Sequence, residues 1–207
     1  MKKLLLLLIV LFFIKSHAIA QTNYLPNFQI GAKAGGDFSL YSGSDNVHNQ
    51  GKVGYIIGGA WARFGGSGLF FQPEVYGTIR NVSISQINDG YTFVNKAKFT
   101  TADIPLLVGE KIGNANAGFR FYTGPALLLS LAKVQDFYNG NIYTRLNFND
   151  VNYAWQFGVG ADIKDFSFDV RYEEGLDKVG YGPVNKKTTR MNLVSFTIAY
   201  SLFSSYN

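Results

Sequence analysis

Between Tyr153 and Gly175 the chain alternates apolar and polar residues twice in succession, and the two runs meet at Lys164–Asp165. In the first run Tyr153, Trp155, Phe157, Val159, Ala161 and Ile163 share one side. Ala154, Gln156, Gly158, Gly160 and Asp162 share the other. In the second, Phe166, Phe168, Val170 and Tyr172 alternate with Ser167, Asp169, Arg171 and Glu173. A period of two marks a β-strand whose faces meet different surroundings. Folding the stretch at Lys164–Asp165 sets Ile163 opposite Phe166, so that apolar meets apolar on every second rung. The polar rungs then pair Gly160 with Asp169, Gly158 with Arg171 and Gln156 with Glu173. Glycine opposite a long charged side chain suits a crowded interior, and Gly158 is expected to make room for Arg171. Lys-Asp is a poor two-residue turn pair, which points to a loop of about four residues.

The same alternation runs through the rest of the chain. Phe28, Ile30, Ala32, Ala34, Phe38 and Leu40 oppose Gln29, Lys33, Asp37 and Ser39. Phe71, Val75 and Ile79 oppose Gln72, Glu74, Thr78 and Arg80, and Ile104, Leu106 and Val108 oppose Asp103 and Lys111. Phe121, Leu127, Leu129 and Leu131 oppose Arg120, Ala126 and Ser130. Val194, Phe196, Ile198, Tyr200 and Leu202 close the series against Ser195, Thr197, Ala199 and Ser201. The second strand, near Lys52–Phe64, is less regular. It is assigned with Tyr55, Ile57 and Trp61 on the apolar face and Gly54, Gly58, Ala60 and Ala62 on the crowded one. Pro73, Pro105 and Pro125 lie inside strands, where a ladder donor is lost, and predict bulges or bends.

Polar segments at Tyr41–Gly51, Ser85–Lys96, Gln135–Asn152 and Gly175–Thr189 read as long loops. Gly65–Gly68, Gly113–Asn116 and Lys164–Asp165 read as tight turns. Long and short connections therefore alternate, which gathers the loops at one end of an up-and-down meander and the turns at the other. Outer-membrane barrels show this asymmetry, with periplasmic turns and extracellular loops. The expected fold is all-β: an eight-stranded antiparallel up-and-down transmembrane β-barrel.

Composition supports a membrane rather than a water-facing exterior. Charged residues make up 16% and aromatic residues another 16%, whereas a small soluble domain carries roughly 25–35% charge on its surface. The first residues have the pattern of a secretory signal: Lys2 and Lys3, an apolar run from Leu4 to Ile14, then Ala18-Ile19-Ala20 before Gln21. Residues 1–20 are thus expected to be a signal peptide cleaved between Ala20 and Gln21, leaving 21–207 as the barrel domain. Without Lys2, Lys3 and Lys15 the 19 basic residues become 16, against 14 acidic ones. That balance gives no support to nucleic-acid binding. With no cysteine, disulfides and thiolate chemistry are excluded.

Alternation alone does not say which face points outward. A periplasmic lipocalin-like carrier would turn the apolar face inward around a lipophile, placing Val159, Phe168 and Ile198 in the lumen. The alternative is a barrel in outer-membrane lipid. Aromatic girdles favour it: Tyr153, Trp155 and Tyr172 toward the loop end, and Phe121, Phe166 and Phe168 toward the turn end.

Several short motifs bear a family resemblance. Gln72-Pro73-Glu74-Val75, Ile104-Pro105-Leu106-Leu107, Gly124-Pro125 and Arg171-Tyr172-x-x-Gly175-Leu176 follow in the order seen in PorT-like outer-membrane β-barrel proteins. The opening Gly31-x-Lys33-x-Gly35-Gly36-x-Phe38-Ser39 and the closing Tyr200-x-x-Phe203 are similar too. The resemblance covers nearly the whole exported chain and implies a small barrel of the porin family in the outer membrane. Some members of that family are implicated in protein secretion. A tail of Ser204-Ser205-Tyr206-Asn207 departs from the usual terminal aromatic.

The polar faces gather charges of both signs: Lys33, Asp37, Glu74, Arg80, Asp103, Lys111, Arg120, Asp162, Asp169, Arg171 and Glu173. In an eight-stranded lumen, just wide enough for side chains, these form a charge network that fills the interior. The competing assignment is a small pore for solutes. No catalytic, cofactor or metal site is expected. His48 lies in a polar loop with no adjacent serine, and Asp45, Asp89 and Asp150 fall in different loops without an EF-hand pattern. The expected protein is a monomeric, non-enzymatic barrel whose long loops can meet a protein partner.

Overall fold

The computed structural model describes residues 26–43, 47–50, 52–66, 68–88, 91–114, 116–137, 146–147, 149–177, 179–181 and 187–205. Its barrel strands are β1 (Phe28–Gly43), β2 (Val53–Phe64), β3 (Gly68–Asn88), β4 (Tyr91–Gly113), β5 (Ala117–Phe137), β6 (Val151–Ile163), β7 (Phe166–Gly175) and β8 (Lys187–Ser205). Each is antiparallel to its neighbours in sequence, and β8 returns to β1 from Phe28↔Ser205 to Gly43↔Thr189. The result is a closed eight-stranded barrel with no free edge on either outer strand.

The alternation sorts residues as a two-faced wall requires. Val159, Phe168 and Ile198 are 48%, 43% and 56% exposed on the outside. The polar residues between them are buried toward the axis. This removes the lipocalin-like arrangement, whose apolar face would line the lumen. Register in the β6–β7 hairpin runs Ile163↔Phe166, Gly160↔Asp169, Gly158↔Arg171 and Gln156↔Glu173. Its turn has only the two residues Lys164 and Asp165, not four. Lys164 adopts a left-handed backbone, with φ of 53°, and its N–H bonds the Asn116 carbonyl of the neighbouring turn at 2.8 Å. That bond helps offset the local strain of a non-glycine residue there.

Strand β2 departs from a simple period of two. Its register against β3 shifts between Ile56 and Gly58, and the β1–β2 register shifts between Lys33 and Gly35. Gly58 has φ of 153°, open to a residue without a side chain. The bulge inverts the faces beyond it. Tyr55 and Ile57 point outward, but Trp61 is 3% exposed and lies inside, while Ala60 is outside. The assignment of Trp61 to the apolar face and of Ala60 to the interior is therefore reversed.

The prolines make no bulge. Pro73↔Leu106, Pro105↔Ala126 and Pro125↔Trp155 keep the register of their surroundings. The remaining shifts fall between Ile30 and Gly31 and between Thr100 and Thr101.

The loop end holds more β-structure than polarity suggested. Ser85–Asn88 pairs with Tyr91–Val94, so most of the expected Ser85–Lys96 loop is a hairpin extension. Val47–Gln50 forms a short strand against Ser83–Gln86, which places His48 opposite Ser85 rather than in a loop. Val179–Tyr181 adds to β8 and to Leu146–Asn147.

Candidate functional site: the polar lumen

All of Lys33, Asp37, Glu74, Arg80, Asp103, Lys111, Arg120, Asp162, Asp169, Arg171 and Glu173 face inward, none more than 7% exposed. Neighbouring strands deliver them at alternate positions, and long side chains then reach across the axis. Toward the turn end, Asp162 of β6 is the hub. Its carboxylate accepts from Arg120 Nε at 2.8 Å, Ser167 Oγ at 2.6 Å and Arg63 Nη1 at 3.2 Å, and pairs with Lys111 Nζ at 2.9 Å. Arg120 also donates to Asp169 at 2.9 Å. Arg63 lies on β2, opposite β6 in the ring, so this pair spans the barrel.

At mid-height Glu74 of β3 takes over. It accepts from Lys33 Nζ at 2.7 Å, from Arg171 Nη1 and Nη2 at 2.9 and 3.0 Å, and from Gln72 Nε2 at 2.6 Å. The two-pronged Arg171–Glu74 contact joins β7 to β3 across the axis; such paired bonds fix geometry as well as charge. Toward the loop end Arg80 donates to Asp103 at 2.6 Å and to Glu173 at 2.7 Å. Thr78 and Thr101 complete the Asp103 shell at 2.9 and 2.6 Å. Gln156 links the two levels, accepting from Arg171 at 2.9 Å and donating to Glu173 at 2.7 Å and Tyr76 at 3.0 Å. The arrangement supplies opposite charges within bonding distance inside a wall facing lipid, which is what buried ions require.

The network also includes residues that sequence reasoning did not single out for it. Arg63 was hidden by the β2 bulge; the Gly58-Gly59 pair is the signal for it, since glycines inside a strand mark such irregularities. It stacks over inward Trp61 at 4.9 Å. Tyr122 was legible by parity beside Arg120. Its hydroxyl donates to Asp169 at 3.0 Å and accepts from Arg171 Nη2 at 3.3 Å. A Cβ on Gly158 would strike the Tyr122 ring. The glycine therefore makes room for Tyr122, through which it serves Arg171 only indirectly. Gly160 stands against the Arg120–Asp169 pair itself.

On the outside, Tyr153, Trp155, Tyr172, Phe121, Phe166 and Phe168 are all exposed. Trp155 Nε1 donates to Thr123 Oγ1 at 2.7 Å, and Phe166 packs edge-on against Tyr200 at 5.0 Å. Near the chain ends Phe28 lies 5.0 Å from Phe64 and 6.4 Å from Phe203. Ala18, Ala20 and Gln21 fall outside the described residues. Among the described residues no group of three or more His, Cys, Asp or Glu side chains is placed to hold a metal ion.

A closed antiparallel barrel with an apolar wall, a charged lumen, and short and long connections at opposite ends defines an outer-membrane barrel protein. Residues 19–180 match the family described as outer membrane protein beta-barrel domain, and the chain belongs to that family. No curated protein matches it in sequence. Among solved structures, OprG of Pseudomonas aeruginosa is 8% identical, with 87% of this chain and 98% of that one covered and a TM-score of 0.55; the likeness is one of fold. Ail of Yersinia pestis, in complex with the heparin analogue sucrose octasulfate, is 9% identical over 85% and 99% of the two chains, with a TM-score of 0.45. Neisserial surface protein A is 13% identical over 84% and 97%, with a TM-score of 0.42.

Proposed function

We propose that this outer-membrane barrel is not a conduit but a closed cylinder that presents its loop end to a protein partner in the cell envelope. The observation that carries this is the bonding of opposite walls: Arg171 to Glu74, Arg80 to Glu173 and Arg63 to Asp162. Solute passage along the axis has to break such pairs, and each break strands buried charge. The extension of β3 and β4 beyond the wall, with Val47–Gln50 beside it, supplies a surface on which a partner can dock. The PorT-like motifs make a secretion-associated partner one form of this reading. The exported chain then begins at Gln21 and works as a monomer without cofactor or catalysis.

Planar-bilayer recording of the purified, folded protein tests the reading. Silence is expected, together with crosslinking of a cell-envelope protein to segments 41–51, 135–152 or 175–189. A large and stable conductance would overturn it in favour of the small pore.

A further inference from the structure

Asp37 stands apart from the other acids of the lumen. It is 4% exposed, and neither carboxylate oxygen has a hydrogen-bond partner among the described residues. Glu74, Asp103, Asp162, Asp169 and Glu173 are all bonded. Two hydroxyls beside Asp37 share its condition: Ser39 Oγ at 0% and Thr197 Oγ1 at 4% residue exposure are likewise without partners.

The register places Asp37 beside Ser195 and Thr197. Asp37 is opposite Ser195 of β8 on one side and Gly54 of β2 on the other. Thr197 is the next inward position along β8, diagonal to Asp37, whereas Ser39, the next along β1, lies on the other side of the Asp37–Ser195 rung, opposite Leu193. Directly opposed side chains on a sheet start about 4.5–5.5 Å apart and diagonal ones about 7–8 Å, a spacing that an ion with its water can bridge. Gly54 holds the carboxylate in position, because a Cβ there would collide with Asp37 Oδ1. The charged groups acting on Asp37 are Arg80, Glu173 and Asp103. Both terminal nitrogens of Arg80 are engaged, by Asp103 and Glu173, and its buried Nε makes no hydrogen bond to Asp37 either. Three carboxylates thus share one guanidinium, and Asp37 is the one left over.

An ionised carboxylate in a dry wall needs a counter-charge. The donors around Asp37 are oxygens: one carboxylate and hydroxyls. Divalent and transition metals favour several free carboxylates or imidazoles; here Asp103 and Glu173 are taken by Arg80, and among the described residues no group of three or more His, Cys, Asp or Glu is placed to hold such an ion. We propose that Asp37, Ser195 and Thr197 form a site for a hard monovalent cation, Na+ in the first instance, at the loop end of the lumen.

Unfolding of the full-length barrel in detergent, followed by heat-dependent gel mobility, reads this out. Sodium chloride should raise the midpoint in a saturable way relative to N-methylglucamine chloride at equal ionic strength and neutral pH. Asp37→Asn should abolish the difference. Thr197→Val, which keeps size and strand preference, should raise the sodium needed for half the effect about tenfold, the loss of one good ligand. Equal midpoints in the two salts with wild-type protein, or an undiminished sodium effect in Thr197→Val, would overturn the site. So would an infrared band for a protonated carboxyl that disappears in Asp37→Asn. Should Asp37→Asn fail to fold, the wild-type comparison and Thr197→Val decide.

Discussion

Glu74 offers the sharpest perturbation of the lumen. The residue is 4% exposed and takes bonds from two cations, Lys33 and Arg171, as well as from Gln72. Glu74→Gln preserves shape but removes the charge and turns one acceptor oxygen into a donor. Lys33 loses the carboxylate at 2.7 Å, and Arg171 loses its two-pronged partner at 2.9 and 3.0 Å. Breaking a buried pair from one side costs about 3–5 kcal/mol, because the surviving charge stays buried. Urea unfolding in lipid vesicles, followed by tryptophan fluorescence, measures it. The exposed Lys133–Asp150 pair, at 2.7 Å but with side-chain exposures of 28% and 92%, is the internal comparison; Asp150→Asn should barely move the midpoint. Adding Lys33→Met to Glu74→Gln removes one stranded cation and should recover part of the loss, with a coupling of roughly 0.5–3 kcal/mol. If Glu74→Gln matched Asp150→Asn, or if Lys33→Met and Glu74→Gln added strictly, Glu74 would not be the hub described.

Gly158→Ala drives a methyl group into the Tyr122 ring and should destabilise the barrel by about 1–3 kcal/mol. Gly36→Ala, whose Cβ meets only the Gly54 carbonyl at 3.7 Å, should stay within about 0.5 kcal/mol of wild type in the same urea series. Single cysteines along β2 test the bulge: a lipid-soluble maleimide should label Ile57→Cys and Ala60→Cys and spare Trp61→Cys. Labelling at Trp61→Cys with protection at Ala60→Cys would restore the uninterrupted period of two.

The barrel was legible in the sequence because a bilayer imposes a strict alternation on any strand crossing it. The β6–β7 rungs from Ile163↔Phe166 to Gln156↔Glu173 could be read from parity alone. Reading failed where that constraint lapses. At Ser85–Asn88 and Tyr91–Val94 the polar, asparagine- and serine-bearing stretch read as a loop, although the backbone pairing continues to the hairpin tip. At Gly58 one bulged position turned the remaining strand over, so that Trp61 exchanged sides with Ala60 and Arg63 entered the lumen unannounced. The charges themselves were identifiable, but their partners were not. Nothing in the chain order of Glu74 and Arg171 says that β3 and β7 stand face to face; only the closed ring brings them together.

That ring gives the chain an order of events. Arg171 and Glu74 are 97 residues apart in sequence, Arg80 and Glu173 93, and Arg63 and Asp162 99. None of these pairs can form in a partial sheet, because each needs walls that meet only when β8 has reached β1. During assembly the charges must therefore stay hydrated or be shielded by other means until the last seam zips from Phe28↔Ser205 to Gly43↔Thr189. Bonds made so late do little to hasten insertion. Their energy falls on the return path, slowing the first step of disassembly. The central ion pairs thus act as a latch that closes with the ring.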